Sequence, residues 1–329
     1  MIRFGIAGFG LHAVKRLMPG FAKASRCRVS ALSRRNWEKA TQSAKEYEIP
    51  DVFATTEELC RSPEVDAVFV ATPNAIHLAD VLTAVRCGKP VLCEKPMGMN
   101  AGQCREMIEA AHQASVLLGV AQVFRFEEST AWFREQIAGG KIGRPVFARS
   151  EFSVLAGPEH PRKWMRNRSM AGGGPIADVG VHCIDALRFV LQDEVTRVSA
   201  LGRYDPPIGD VETTAELVLE FAGGTLATVA VSFEADYRTP FEVIGSEGSV
   251  RGEDAFSVDK PLTLELRRQN AIETRQVSNA SAYAAQVDAF AAAVEGTVAF
   301  PVPGEEGWQN QRVLDAAYRS LGSGKTEAV

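Results

Sequence analysis

Between Gly172 and Leu191 the chain reads Gly-Gly-Gly-Pro-Ile-Ala-Asp-Val-Gly-Val-His-Cys-Ile-Asp-Ala-Leu-Arg-Phe-Val-Leu. Asp178, His182 and Asp185 recur in it at helical spacing, so three titratable groups share one face. The remaining positions, among them Ile176, Val179, Val181, Ile184, Leu187 and Val190, are apolar nearly all round. Such a helix is expected to be buried, and buried charge must be paired or functional. A His four residues after an Asp can be oriented by it, as general acid–base catalysis requires. A satisfied core histidine beside a structural aspartate accounts for the same pattern. The glycine run with Pro175 behind it reads as a helix start. Gly180 inside the helix costs about 1 kcal/mol relative to Ala, which the close approach of a ring or a backbone would explain.

A second set of chemistry lies at the start of the chain. Gly8-Phe9-Gly10-Leu11-His12-Ala13 is a G-x-G-x-x-A placed between a first strand and a helix. The two glycines allow a tight turn and the approach of a pyrophosphate, and the helix start supplies amide donors. A packing turn is the plain alternative; the position at the first strand–helix junction favours a dinucleotide. The next strand runs into Ser33-Arg34-Arg35, where NAD-preferring folds carry an Asp or Glu for the ribose 2′-hydroxyl. With no carboxylate there, Arg34 or Arg35 can clamp a 2′-phosphate, and the reading is NADP over NAD. Solvated surface arginines are the alternative.

Thr72-Pro73-Asn74 to His77 follows a strand at Ala67–Ala71, and Glu94-Lys95-Pro96 follows one at Val91–Cys93. Carboxyl ends of strands are where ligands bind in open parallel sheets. Lys95 has the chemistry to donate a proton or steady an oxyanion, and the X-Pro bond after it is a candidate for a cis turn. The segment His160 to Arg168 mixes Arg162, Trp164 and Arg166, which can stack on a sugar face and bond its hydroxyls; a solvated loop reads equally from it. Arg125-Phe126, at the crossover between domains, is a weaker candidate for the wall of the site.

The elements that must position these groups follow from periodicity. To about residue 122, strands at Ile2–Ala7, Arg28–Leu32, Ala67–Ala71, Val91–Cys93 and Val116–Val120 alternate with helical patterns at Ala13–Ala24, Trp37–Tyr47, Ala75–Cys87 and Ala101–Ala114. Asn100 with Gln103, and Thr55 with Glu58, fit capping boxes. Strict alternation implies right-handed crossovers and a parallel sheet. From 123 to 329 the pattern becomes α+β: a helix at Glu127–Ala138, the helix described first, alternating strands around a Gly223-Gly224 turn, at Phe241–Ile244 and at Leu262–Arg268, then helices at Tyr283–Val294 and Glu305–Leu321. The expectation is a doubly wound Rossmann domain over 1–122 and a second domain over 123–329 with a largely antiparallel open sheet.

With 329 residues and a net charge of −5, the chain offers no electrostatic case for nucleic acid or an anionic membrane. Ile2-Arg3-Phe4-Gly5-Ile6-Ala7 reads as a strand and not as a signal peptide, and no apolar run spans a bilayer. The six cysteines include no C-x-x-C pair, so neither a zinc knot nor a disulfide framework is expected, and a cytoplasmic setting fits.

Taken together, Gly8-x-Gly10, Thr72-Pro73-Asn74 to His77, Glu94-Lys95-Pro96 and Gly172-Gly173-Gly174 leading to Asp178-x-x-x-His182-x-x-Asp185 resemble, in order and spacing, the Gfo/Idh/MocA oxidoreductases. The resemblance covers essentially the whole chain; Ala13 stands where a third glycine is common. It implies hydride transfer between a nicotinamide and a carbohydrate-like carbonyl or secondary alcohol. It also implies catalytic positions at Lys95, Asp178 and His182: His182 exchanging the proton of the reacting oxygen, Asp178 tuning it, and Lys95 hydrogen-bonding the same oxygen. The cofactor positions it suggests are Gly8, Phe9, Gly10, Leu11, Ser33, Arg34, Arg35, Thr72, Pro73, Asn74, His77, Glu94 and Lys95. No metal is expected, and a homodimer or homotetramer through the C-terminal sheet is. A non-catalytic NADP-binding sensor and a nicotinamide-assisted glycosidase are the alternative functions.

Overall fold

A computed structural model describes residues 1–157, 159–206 and 209–329. The chain divides into two compact units. The first comprises Met1–Gln122 with Tyr283–Gln311, the second Val123–Ala282 with Arg312–Val329.

In the first unit, strands β1 (Ile2–Ala7), β2 (Cys27–Ser33), β3 (Asp51–Phe53), β4 (Ala67–Val70), β5 (Val91–Cys93) and β6 (Leu118–Val120) form a parallel sheet in the order β3-β2-β1-β4-β5-β6. This is the doubly wound order, with the chain reversing direction beside β1 and β4, so a crevice opens at their carboxyl ends. The strands are short and apolar on both faces, as sheets covered on both sides by helices must be; Phe4, Ile6, Phe69 and Leu92 are fully buried. The crossovers are a π-helical turn Ala13–Leu17 continuing as α1 (Met18–Lys23), then α2 (Trp37–Glu46), α3 (Thr56–Arg61), α4 (Asn74–Arg86) and α5 (Ala101–Gln113). The Thr55–Glu58 capping box is complete. At Asn100 the box is half made: its side chain accepts from Gln103 N–H, while Gln103 Oε1 accepts from Met99 N–H.

In this unit two elements escaped the periodicity, β3 and α3. Each is too short to show a period, although the capping box marked the start of α3. A third difference concerns the boundary, because residues 283–311 belong with the first unit and not with the second. Asp288 accepts hydrogen bonds from the N–H groups of Ser25 and Arg26, Phe290 packs on Phe4, and Val120 N–H donates to Val302 O. A segment distant in sequence thus completes the hydrophobic cover of the sheet, and periodicity carries no information about such pairing.

The second unit holds α6 (Glu128–Ala138), β7 (Pro145–Ser153), α7 (Arg168–Ala171), a π-helical turn Ile176–Gly180, α8 (Val181–Leu191), β8 (Val195–Tyr204), β9 (Glu212–Phe221), β10 (Leu226–Ser232), β11 (Phe241–Gly245), β12 (Gly248–Gly252), β13 (Leu262–Arg268), β14 (Ala271–Val277) and β15 (Glu327–Ala328). Helices α9 (Ala282–Val294) and α10 (Gly304–Ser323) each straddle the division between the units. The nine strands run β14-β13-β12-β11-β7-β10-β9-β8-β15, antiparallel except for β7 beside β10. Alternation follows the pleat: Leu217, Leu219, Val229 and Val231 face inward and are buried, whereas Phe147, Leu201, Val218 and Leu226 lie on the opposite, exposed face.

Candidate active site

The dinucleotide turn is built as its glycines require. Gly8 has a φ of +86°, and a Cβ there would stand 2.6 Å from the Thr72 nitrogen, so only glycine fits. The N–H groups of Gly8 and Phe9 both donate to Ser33 O, tying the turn to the end of β2. Phe9 itself is core, buried against Tyr47, and its side chain does not reach the surface. Around Gly10 the surface is open: an added Cβ would meet only Gly8 O, at 3.8 Å. The first helical bond runs from Val14 N–H to Gly10 O, which leaves the amides of Leu11 and His12 without an intrahelical acceptor. An uncluttered glycine followed by free amides fits a pyrophosphate.

Ser33, the last residue of β2, is buried, and beyond it Arg34 is half-buried and Arg35 exposed. Neither arginine makes an ion pair or hydrogen bond among the described residues.

The turns after β4 and β5 are joined. His77, fully buried, directs Nδ1 at Pro96 O (3.0 Å) and Nε2 at Thr72 O (2.8 Å). Burial pushes its pKa down, and the two carbonyls and the Glu94 charge do not fully restore it, so the ring is held below the usual imidazole value. His77, expected from its motif as a cofactor residue, is therefore a brace between the two turns. Thr72 Oγ1 donates to Asp80 (2.8 Å), Pro73 is the N-cap of α4, and Asn74 is buried in its first turn.

The Lys95–Pro96 peptide is cis and Lys95 is half-buried. Glu94 is spent within the protein: Oε1 meets His12 Nε2 at 2.8 Å and Oε2 accepts from Lys95 N–H at 3.1 Å. Burial pushes Glu94 up, but His12 and Lys95 outweigh it and hold the carboxyl below its ordinary value. His12, inside the glycine motif, was not singled out by its sequence context.

In the second unit the helix of Asp178 and His182 opens with the π turn Ile176–Gly180, a form that recurs at functional sites. Every residue from Gly173 to Arg188 is buried except Asp178, which is half-buried. His182, 7% exposed, stacks on Phe124 at 4.2 Å and 19°, and Phe124 stacks on Phe256 at 4.4 Å. A stacked face fixes the plane of the ring.

The glycine run is a seat. Gly172, at φ +81°, ends α7; a Cβ on Gly173 would collide with the Tyr318 hydroxyl, and one on Gly174 with Glu212 O. Glu212, fully buried, accepts at Oε1 from Gly174 N–H (3.0 Å), Ile176 N–H (3.1 Å) and Tyr318 O–H (2.9 Å). It thereby caps the helix from a strand. Burial raises its pKa, and the hydrogen bonds hold it back only in part. A Cβ on Gly180 would meet Pro175 O at 3.4 Å and Val231 at 3.5 Å, so no ring or backbone demands glycine there.

Asp185 and Arg125 pair with each other. Arg125 donates from Nε (2.9 and 3.0 Å) and Nη2 (2.7 Å) to the Asp185 carboxylate, and both side chains are buried. Arg125, expected at the substrate, is thus a structural partner of Asp185, because an unpaired charge at that depth is too costly. The guanidinium of Arg166 is buried and bonds Gly157 O, holding its loop. Trp164 packs on Ala156, Met165 and Phe233. The guanidinium of Arg162, half-buried, makes no ion pair or hydrogen bond among the described residues and is the one basic group of the three left open to a ligand. The sequence did not single out Phe124, Phe256, Glu212 or Tyr318, whose roles arise from pairing between residues far apart in the chain, Glu212 with Gly174 38 positions away and with Tyr318 106 positions away.

Residues 2–122 match the model of an oxidoreductase family with an NAD-binding Rossmann fold, and residues 130–251 match the GFO/IDH/MocA C-terminal domain. The chain belongs to the Gfo/Idh/MocA oxidoreductase family. It is 34% identical over 310 residues to a 1,5-anhydro-D-fructose reductase of Ensifer adhaerens, covering 93% of this chain and 92% of the relative. It is 30% identical to a D-xylose 1-dehydrogenase (NADP(+)) of Haloferax volcanii, covering 98% of both. Among solved structures, aldose-aldose oxidoreductase from Caulobacter crescentus, complexed with glycerol, superposes with a TM-score of 0.92 at 27% identity, covering 100% of this chain and 99% of that one. No helix among the described residues is long and apolar enough to cross a membrane, no group of His, Cys, Asp and Glu among them is arranged to hold a metal, and all six cysteines are free thiols.

Proposed function

We propose that this chain is an NADP(H)-dependent oxidoreductase acting on a carbohydrate-like carbonyl or secondary alcohol, a keto-sugar, anhydro-sugar or cyclitol. The observation that carries the cofactor choice is the pair Arg34 and Arg35, without partners among the described residues and with no carboxylate after β2 to repel a 2′-phosphate. The substrate class is supported by the relatives, whose names carry anhydrofructose, xylose and aldose.

Bound nicotinamide supplies or accepts the hydride. Gly8 and Gly10 admit the pyrophosphate, the amides of Leu11 and His12 bond it, and Arg34 grips the 2′-phosphate. Lys95 hydrogen-bonds the reacting oxygen of the substrate. In the reductive direction His182, its ring plane set by the stack on Phe124, delivers a proton to that oxygen, and Asp178 tunes the imidazole. Arg162 is the remaining candidate for a substrate hydroxyl or anion.

The test is loss of NADPH absorbance with a panel of keto-sugars. Lys95→Ala and His182→Ala should each lower kcat/KM by about 100-fold or more. Undiminished turnover in Lys95→Ala would sink the mechanism, and tight NADP binding without turnover on any carbonyl would favour a sensor. The exposed face bearing Phe147, Leu201, Val218 and Leu226 suits a second copy of the chain, so light scattering should give a dimer or tetramer that Val218→Lys weakens.

A further inference from the structure

We infer that Glu212 is a positioning residue for the proton-handling helix: through one carboxyl oxygen, itself held by Tyr318, it clamps the turn that carries Asp178. The inference rests on the proposed function above, because the placement of Asp178 and His182 governs turnover only in that mechanism.

Three glycines in a row are a poor anchor for a side chain that must keep one position. Without a Cβ, Gly172, Gly173 and Gly174 leave the backbone free to swing, and Asp178 follows four residues after the last of them. Pro175 has no N–H with which to fix the helix start, and the π turn Ile176–Gly180 departs from regular α-helical bonding. The hold comes from a strand instead. Glu212 Oε1 accepts from Gly174 N–H at 3.0 Å and from Ile176 N–H at 3.1 Å, the donors on either side of the proline. Gly174 is in turn bonded to the aspartate, whose N–H donates to Gly174 O at 3.0 Å. Glu212 and the Asp178 backbone thus grip the same glycine, one at its N–H and the other at its carbonyl.

The clamp is itself secured. Tyr318, on α10, donates its O–H to the same Oε1 at 2.9 Å, and the Arg168 guanidinium lies 5.5 Å over the Tyr318 ring. Glu212 is fully buried at the start of β9, and its Oε2 has no partner among the described residues, so three donors converge on one oxygen. The glycine run is shaped to admit this pair, since the Tyr318 hydroxyl fills the space of a Gly173 Cβ and the Glu212 carbonyl that of a Gly174 Cβ. All of these residues belong to the second unit, whereas the dinucleotide turn at Gly8 and Gly10 belongs to the first. Loss of the clamp should therefore slow the chemical step and spare NADPH affinity.

The experiment is a stopped-flow single turnover. Enzyme loaded with NADPH is mixed with the keto-sugar of the panel that the wild type reduces fastest, and the absorbance decay gives a rate constant and an amplitude. The rate constant reports the chemical step and the amplitude the fraction of competent molecules, so misfolding alone lowers only the amplitude. Glu212→Gln keeps an acceptor oxygen of the same reach, and Glu212→Leu removes it at similar volume. Glu212→Leu should lower the rate constant about 30-fold or more, with NADPH affinity by fluorescence titration within about 2-fold of wild type, while Glu212→Gln should stay within about 3-fold of the wild-type rate. Amide exchange at Gly174 and Ile176 should quicken in Glu212→Leu and not in Glu212→Gln. An unchanged rate constant or unchanged exchange in Glu212→Leu, a loss confined to the amplitude, an equal loss of NADPH affinity, or a Glu212→Gln as slow as Glu212→Leu would each overturn the inference. Should Glu212→Leu fail to fold, Tyr318→Phe decides: taking one donor from Glu212 Oε1 should lower the rate constant about 5-fold, and a wild-type rate would overturn the inference. A wild type that reduces a keto-sugar while these differences are absent refutes Glu212 alone; a wild type that reduces none of the panel refutes the proposed function and this inference together.

Discussion

The imidazole of His182 lies 4.2 Å from the ring of Phe124 and only 19° from parallel to it. Because Phe256 supports Phe124 from behind at 4.4 Å, the histidine cannot turn without disturbing a buried aromatic column. In the mechanism proposed above, a ring held this way presents its proton in one orientation.

On the proposed role of His182, Phe124→Leu should lower kcat about 10-fold while KM changes less than about 3-fold, since it loosens the imidazole without touching the residues proposed to bind substrate. Steady-state kinetics beside a thermal melt separates this from unfolding. A change confined to KM would contradict it.

The Arg125–Asp185 pair gives a prediction about stability alone. Removing Asp185 takes the carboxylate away from the buried Arg125 guanidinium, and Asp185→Ala should cost about 3–5 kcal/mol in urea unfolding. A cost below 1 kcal/mol would mean that the pair is not held as described.

Glycine positions in the central helix should separate cleanly. Gly173→Ala and Gly174→Ala force a methyl onto the Tyr318 hydroxyl and the Glu212 carbonyl, and each should lose at least about 2 kcal/mol. Gly180→Ala meets only ordinary contacts, and the better helix propensity of Ala should leave its stability within about 1 kcal/mol of wild type. Chemical denaturation of the three variants checks the contrast.

Asp288 should make stability pH-dependent in a predictable direction. Burial pushes its pKa up, but the N–H groups of Ser25 and Arg26 and the Ser25 hydroxyl outweigh it, and the folded value is lowered. A lowered folded value means stabilisation that is present above the unfolded pKa and lost as pH falls through the folded one. Asp288→Asn should therefore be less stable than wild type by about 2 kcal/mol at pH 7, with the gap narrowing below pH about 4. Unfolding curves at pH 7 and pH 3 test the sign.

Much of this protein was legible in its residues because the relevant signals are local. A glycine that must adopt positive φ at Gly8, β-branched runs between helical patterns, and the Thr55–Glu58 cap each declare themselves within a few positions, and the parallel sheet follows from their alternation. Lys95 and His182 stood out because a lysine at a strand end and a histidine in an apolar helix are unusual on their own terms. Tertiary structure decided how the remaining polar groups are spent. Asp185 and Asp178 read alike in the sequence, yet Asp185 closes on Arg125 while Asp178 alone among residues 173–188 is half-buried. His77 became a brace and Arg166 a loop tie because carbonyl acceptors from other turns met them. Residues 283–311 joined the first sheet for the same reason. Periodicity tells which face of an element is buried; which partner compensates a buried charge depends on elements brought together from distant parts of the chain, and only folding makes that choice.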